Sequence, residues 1–141
     1  MKPLKVLFTK LHPDAKMPTQ AHPGDAGYDL YCVESIAVPY GAVGIVKVGI
    51  AIQIPKGYYV ELHPRSSLDL QGVKMRIGII DEGYTGELGA IVTPLINGLY
   101  VQKGERIGQL ILKKREEVTF IEVDKLQRTE RGGKGFGSSG R

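Results

Sequence analysis

The sequence predicts one domain of the all-β class, either a sandwich, a barrel or a jelly roll. Apolar and polar residues alternate with period two in the clearest segments, and in residues 46–54 every even position is apolar. Glycine supplies 19 of the 141 residues, which is about twice its usual share. Because glycine and proline separate most of the alternating segments, we expect around ten short strands joined by tight turns.

The individual elements follow from this alternation and from the residues that interrupt it. One short helix is expected at residues 66–71, because Ser66 can cap its first turn and Gly72 can end it. The strands are expected at residues 4–11, 28–33, 46–54, 57–62, 73–79, 88–93, 106–112 and 118–123.

Several classes of protein are excluded. The longest stretch without a charged residue, 88–102, contains Pro94 and falls short of the ~18 apolar residues of a membrane helix. The first residues lack an apolar run with a cleavage site, so we expect no signal peptide and no membrane association. Cys32 is the only cysteine, which excludes an internal disulfide and fits a cytoplasmic or other reducing intracellular compartment. Three scattered histidines beside it form no zinc cluster.

The positive charge is concentrated at the C-terminal end. The net charge is +4, and residues 103–141, with ten basic and six acidic side chains, carry the whole excess. This distribution indicates an anionic partner such as a nucleotide, a nucleic acid or a membrane surface, or alternatively a solvated tail. Residues 129–141 include five glycines, so we expect a mobile arm there, after a β domain formed by residues 1–128.

Asp81 is a candidate general base. It follows the apolar residues 77–80, and Tyr84 comes three residues later, which suits a carboxylate at a strand end beside an aromatic wall. The alternative is a polar hairpin turn.

An anion site is expected at Arg65, Ser66 and Ser67, which follow a strand at a helix start. A guanidinium fork, two hydroxyls and free helical N–H groups all suit a phosphate. The alternative is a capped turn with a solvent-facing arginine.

Two strands carry further polar residues. Asp29 lies between apolar strand residues, where a carboxylate requires a partner or costs stability. Arg106 and Gln109 lie on one strand and would face opposite sides, unless Gly108 marks a bulge. The residues alone favour ordinary edge-strand polarity for this second pair.

The glycine-rich end carries one aromatic side chain, Phe136, which has no core to join. Stacking on the ring of a ligand is one role for it, and a disordered terminus is the alternative. The segment is no P-loop, because Gly133 and Lys134 are followed by Gly135 and not by serine or threonine.

Taken in order, five segments resemble the five motifs of the trimeric dUTP pyrophosphatase (dUTPase) family. They span nearly the whole chain, and the last one reads Arg-Gly-Gly-x-Gly-Phe-Gly-Ser-Ser-Gly. Each segment is weak alone, whereas five in this order are highly specific. The segments are residues 26–30, 64–68, 78–87, 104–109 and 131–140.

The resemblance implies a jelly-roll-like or distorted β-barrel protomer, a homotrimer with active sites at subunit interfaces, and Mg²⁺-dependent hydrolysis of dUTP to dUMP and pyrophosphate. Such a reaction lowers dUTP and supplies dUMP for thymidylate synthesis. By the same resemblance, Asp81 activates the attacking water, Tyr84 packs under the deoxyribose, and Asp29 holds waters of the Mg²⁺ shell. The implied substrate contacts are Arg65, Ser66, Ser67, Gly78, Ile80, Tyr84, Gln109, Arg131, Phe136, Gly137, Ser138 and Ser139.

The sequence departs from the family between Arg65 and Asp81, where it is shorter than usual. The asparagine that often reads uracil is absent, and Met75 or Arg76 lies in its place. Base recognition is then expected from backbone groups of residues 75–80.

Two alternatives compete with this function. A dCTP deaminase shares the fold, but it requires a glutamate about where Ile91 lies, and residues 88–102 contain none. A non-enzymatic module that binds single-stranded nucleic acid or protein is the other alternative. The sequence has ten aromatic residues and no basic stripe interleaved with them, so stable nucleic-acid binding is not expected.

Overall fold

The computed structural model describes residues 2–138, and the described chain is almost entirely β. Its one helix, α1, has five residues, so nothing among the described helices is long enough to cross a membrane. The predicted all-β class is confirmed. The elements are β1 (Leu7–Lys10), β2 (Tyr28–Tyr31), β3 (Ile36–Val38), β4 (Gly44–Lys47), β5 (Ile50–Gln53), β6 (Tyr58–Pro64), α1 (Ser66–Leu70), β7 (Val73–Met75), β8 (Gly78–Ile80), β9 (Gly89–Pro94), β10 (Leu99–Val101) and β11 (Arg106–Lys114).

The strands form antiparallel sheets around one apolar core. The largest sheet has the order β2-β11-β6-β8, a second has the order β4-β9-β7, and β1-β5 and β3-β10 are two-stranded pairs. No polar or charged side chain is buried within residues 2–138, so the core is purely apolar. Among its members are Leu30, Val46, Ile50, Val60, Leu62, Leu88, Val92 and Leu110.

The predicted strand 46–54 is two strands. Its even positions are all buried, as the alternation predicts. However, β4 pairs with β9 whereas β5 pairs with β1, so the chain passes from one sheet to another between them. Gly49 makes the change of direction, because its φ of 75° is in the left-handed region that glycine adopts without strain.

The predicted strand 73–79 is divided in the same way, and this division positions the candidate site. β7 pairs with β9, whereas β8 pairs with β6 in the largest sheet. Arg76 and Ile77 form the crossing, where the Arg76 N–H donates to the Ile91 carbonyl at 3.0 Å. β8 therefore ends beside β6, and Asp81 follows directly.

The predicted helix is confirmed at Ser66–Leu70, but its predicted cap is wrong. Arg65 is the N-cap residue and makes no side-chain capping bond. The predicted stop is confirmed, because Gly72 has a φ of 72° and its N–H donates to the Asp69 carbonyl at 3.0 Å.

The predicted strand at residues 118–123 is wrong for the single chain. Regular structure ends at Lys114, and the segment has no strand assignment. Its apolar side chains are exposed, Phe120 by 95%. Conversely, the alternation of apolar and polar residues did not predict β3 and β10, which have three residues each and pair only with one another.

Candidate active site

The Asp81 cavity is built from β8, the turn that follows it and β9. It has a volume of about 290 Å³. The Asp81 side chain is exposed and enters this cavity at the end of β8, where Ile80 pairs with Val60 of β6. Its lining residues are Leu62, Arg76, Gly78, Ile79, Ile80, Asp81, Tyr84, Glu87, Leu88, Gly89, Ala90 and Ile91.

The turn after β8 fixes the aromatic ring in this cavity. The Tyr84 N–H donates to the Asp81 carbonyl at 3.0 Å, and the Tyr84 hydroxyl donates to the Glu87 carbonyl at 3.0 Å. Gly86 leaves room for the ring, because a Cβ there would lie 2.6 Å from Tyr84 Cζ. The structure therefore brings together Asp81, Tyr84 and the backbone of β8, as the sequence predicts.

A second cavity, of about 360 Å³, lies beside the start of α1. Arg65 and Ser67 line it, and Arg65 is half-buried while Ser66 and Ser67 are exposed. Its remaining lining residues come from α1, β2, β10 and the start of β11, and include Tyr31, Gln71, Tyr100, Glu105 and Arg106.

Asp29 does not line this second cavity, but it is paired with Arg106, which does. The Asp29 side chain is 17% exposed, and Arg106 Nη1 lies 3.4 Å from Asp29 Oδ2. The register between β11 and β2 shifts between Arg106 and Gly108, which is the bulge that the glycine allows. The sequence favoured ordinary strand polarity for Arg106, and its partner is 77 residues away along the chain, so no local signal could reveal the pair.

Gln109 pairs with Asp29 across the same two strands. Its side chain fills the space above Gly27, where an added Cβ would lie 2.8 Å from Gln109 Cδ. Gly27 is buried and belongs to the first of the five segments, so the segments at 26–30 and 104–109 meet directly.

The two cavities are separate in one chain. They share no lining residue. Asp81 follows Ile80, which pairs with Val60, so Asp81 lies opposite Tyr59, whereas Arg65 directly follows β6 six residues later. At ~3.3 Å per strand residue, the two positions are about 20 Å apart along β6.

The described residues of the C-terminal arm line neither cavity. Arg131 Nε donates to the Lys134 carbonyl at 2.9 Å, and the Ser138 N–H donates to the Gly135 carbonyl at 3.0 Å. Phe136 is fully exposed with a φ of 50°. Arg131, Phe136, Gly137 and Ser138 line a hollow with their own neighbours alone. Ser139 lies outside the described residues.

Among the described residues, no group of three or more histidine, cysteine, aspartate or glutamate side chains could hold a metal ion. Glu105 is the carboxylate that lines the Arg65 cavity, and Asp29 is connected to that cavity through its ion pair with Arg106. A single carboxylate fits a Mg²⁺ ion that keeps most of its waters and takes further oxygens from substrate phosphates.

Comparisons with known proteins identify the relatives of this chain. A family model for dUTPase matches residues 13–140. A deoxyuridine 5'-triphosphate nucleotidohydrolase of Thermobifida fusca (strain YX) is 40% identical over 145 residues, covering 97% of this chain and 79% of that protein. Another, of Cowpox virus (strain GRI-90 / Grishak), is 41% identical over 138 residues, covering 96% of this chain and 92% of that protein.

Solved structures share the fold over the whole length. The dUTPase of Staphylococcus bacteriophage 80alpha, solved with dUPNHPP, matches with a TM-score of 0.90 at 28% identity and covers 97% of this chain and 99% of that chain. A mutant dUTPase of phage phi11 of S. aureus has the same fold at 22% identity and a TM-score of 0.81, and that structure describes the coordination of a structural Mg(II) ion. This chain is an enzyme of the dUTPase family.

Proposed function

We propose that this chain hydrolyses dUTP to dUMP and pyrophosphate, and that Asp81 is the general base for water attack at the α-phosphate. The observation that carries the proposal is one cavity in which the Asp81 carboxylate, the Tyr84 ring and the backbone of β8 converge. The dUTP nucleotidohydrolase names of its relatives support the substrate. An exposed carboxylate at a strand end can accept a proton from an ordered water, which is the chemistry that this reaction requires.

The nucleoside would occupy the Asp81 cavity. Backbone groups at Gly78 and Ile80 would pair with the uracil edge, since β8 is the outermost strand of its sheet and its second edge is free of a partner within the described chain. The Tyr84 ring would lie under the deoxyribose, where a ribose 2′-hydroxyl would clash. The hydrogen bond from the Tyr84 hydroxyl to the Glu87 carbonyl would hold the ring in place for this exclusion.

The triphosphate would be bound by the residues beside the second cavity. Arg65, Ser66, Ser67 and Gln109 offer a guanidinium, two hydroxyls and an amide, which suit phosphate oxygens. Asp29 would hold waters of a Mg²⁺ ion, and the ion, when bound, would neutralise charge on the phosphates. The ion pair with Arg106, which lines that cavity, supports this placement of Asp29.

A homotrimer would complete the site. Asp81 and Arg65 lie at opposite ends of β6 and line separate cavities, so we propose that they meet across a subunit interface. The exposed apolar residues of the segment after β11, including Phe120 and Ile121, would bury their side chains against a neighbouring chain. Stable homo-oligomers with closed symmetry are the ordinary way to cover such surfaces.

Residues 129–141 would form an arm that closes over bound substrate. Phe136 is fully exposed, and a stacked uracil would give its ring a partner. Arg131, Gly137, Ser138 and Ser139 would contact the phosphates and exclude bulk water.

The test is pyrophosphate release from dUTP, with Mg²⁺ and with a chelator, beside dCTP, dTTP and UTP. We expect metal-dependent release from dUTP alone, and we expect Asp81→Asn to lower kcat by ~10²–10⁴-fold with a smaller effect on KM. Asp124→Asn, another exposed carboxylate, is the matched control and should leave kcat unchanged.

Other outcomes would revise the proposal in different ways. Release from dTTP or dCTP as well would support the hydrolase activity but show that base recognition, which we assign to residues 75–80, does not select uracil. No release from any of the four nucleotides, by a folded protein, would overturn the enzyme proposal in favour of a binding module.

A further inference from the structure

Glu82 directly follows the proposed general base, yet its side chain does not line the Asp81 cavity. It extends instead to the turn before β6, where its Oε1 accepts the Gly57 N–H at 2.6 Å. The same oxygen lies 3.4 Å from Arg115 Nη2. Hydrogen bonds to an ionised acceptor are among the stronger ones in proteins, so this contact can hold the turn.

Three segments meet at this carboxylate. The first is the turn that carries Asp81. The second is the turn at Gly57, whose carbonyl accepts the Arg115 N–H at 2.8 Å. The third is the segment that follows β11, of which Arg115 is the first residue. The pKa of Glu82 lies below its usual value, chiefly because of the Gly57 N–H and then because of Arg115, so the side chain stays ionised at neutral pH.

We propose that Glu82 is a positioning residue, which orients the Asp81 carboxylate by fastening its turn to Gly57 and to Arg115, directly after β11. The inference rests on the proposed role of Asp81. The turn has few other constraints, since β8 has only three residues and Asp81 lies just beyond its last pair with β6. Without the Glu82 side chain the turn retains its bond from the Tyr84 N–H to the Asp81 carbonyl, but it loses its contacts with Gly57 and Arg115.

The test measures kcat and KM for dUTP in the full-length protein. A general base that is loosely held should impair transition-state stabilisation more than it weakens substrate binding. Glu82→Ala should therefore lower kcat by ~10–10²-fold with KM changed by less than about threefold. Glu82→Gln should lose less, because its amide oxygen still accepts the Gly57 N–H while the ion pair is lost.

A double-mutant cycle separates positioning from general stability. If Glu82 acts through Asp81, Glu82→Ala in an Asp81→Asn background should cost no further activity. Glu117→Gln is the matched control, because Glu117 pairs with the other Arg115 nitrogen at 2.5 Å but lies in the segment after β11 and not in the turn that carries Asp81. That variant should keep kcat within about twofold of the wild-type value.

Three results would overturn the inference. The first is a Glu82→Ala enzyme with kcat within about twofold of wild type, and the second is an equal loss in the Asp81→Asn background. The third is a loss in Glu117→Gln as large as that in Glu82→Gln. If Glu82→Ala does not fold, judged by thermal unfolding, the same cycle with Glu82→Gln decides. An inactive wild-type protein would overturn the proposed function as well, whereas an active one with a normal Asp81→Asn loss confines the failure to Glu82.

Discussion

At the scale of single residues, glycines create the space in which functional side chains lie. Gly27 is covered by the Gln109 side chain, and Gly86 is covered by the Tyr84 ring. Neither glycine is required there by a left-handed backbone, so the absence of a Cβ is the property that matters. These glycines act by leaving room, which a motif in the sequence marks but does not explain.

Gly86→Ala should displace the Tyr84 ring, because the new Cβ would lie 2.6 Å from Tyr84 Cζ. We expect kcat/KM for dUTP to fall by about tenfold and the preference for dUTP over UTP to weaken, since ring position would decide the exclusion of the 2′-hydroxyl. Steady-state kinetics with both nucleotides measure this. Gly83→Ala is the control from the same turn, where an added Cβ meets nothing within 4 Å; an equal loss in both variants would contradict the prediction.

Residue type and order predicted Asp81 and Tyr84 in one cavity, because both belong to one strand end and its turn. The contacts that support the site were not predictable. Glu82 reaches Gly57 across 25 residues of sequence, and Arg106 reaches Asp29 across 77. Such pairs depend on strand order and register, which the alternation of apolar residues does not specify.

At the scale of elements, alternation predicted which side chains are buried better than it predicted where strands end. All even positions of residues 46–54 are buried, yet the segment contains two strands of different sheets. Because β4 and β5 keep the same inward phase on either side of Gly49, the pattern continues through the break. A glycine inside an alternating run was the one available signal of a bend.

Gly49→Ala should destabilise the fold for two reasons. Its φ of 75° is strained for alanine, and the added Cβ would lie 2.7 Å from Val33 Cγ2. Gly41→Ala isolates the first reason, because Gly41 has a φ of 76° and open space around it. We expect the free energy of unfolding, from urea titration, to fall by ~1–3 kcal/mol more in Gly49→Ala than in Gly41→Ala. Equal losses of unfolding free energy in the two variants would contradict this prediction, because the close contact with Val33 would then cost no stability.

Glu61, on the outer face of β6, should make stability depend on pH. The pKa of its carboxyl is lowered, first by the hydrogen bond with His63 at 2.7 Å and also by the Tyr59 hydroxyl and Lys113. Because the unfolded chain takes up this proton at a higher pH than the folded one, the contribution is present above the usual value of 4.5 and is lost as pH falls through the folded value. The difference in urea midpoint between wild type and Glu61→Gln should therefore shrink between about pH 6 and pH 3. A difference that stays constant over that range would contradict this assignment.

At the scale of the whole molecule, one chain lacks part of what its sequence implies. Residues 118–123 alternate like a strand, but the described chain gives them no partner and leaves Phe120 exposed. The same chain holds Asp81 and Arg65 at opposite ends of β6. A pattern in sequence predicts the potential to form a strand or a site, whereas the partner that realises it is supplied by another molecule. Both discrepancies are removed at once if residues 118–123 contact a neighbouring chain and if Asp81 of one chain meets Arg65 of another.

Complementation between two inactive variants tests that explanation directly. Asp81→Asn removes the proposed general base, and Arg65→Ala removes a proposed phosphate contact about 20 Å away along β6. If each site of a homotrimer takes Asp81 from one subunit and Arg65 from another, every mixed trimer has one intact site in three, so trimers purified through both tags should show about a third of the wild-type activity. Co-expression of differently tagged variants, purification through both tags and a pyrophosphate-release assay measure the recovery. Mixed Asp81→Asn and Asp81→Asn/Arg65→Ala chains are the matched control and should stay inactive. Recovery is impossible if both groups act within one chain, since every chain in the mixture lacks one of them, so a mixed oligomer without activity would refute the shared site.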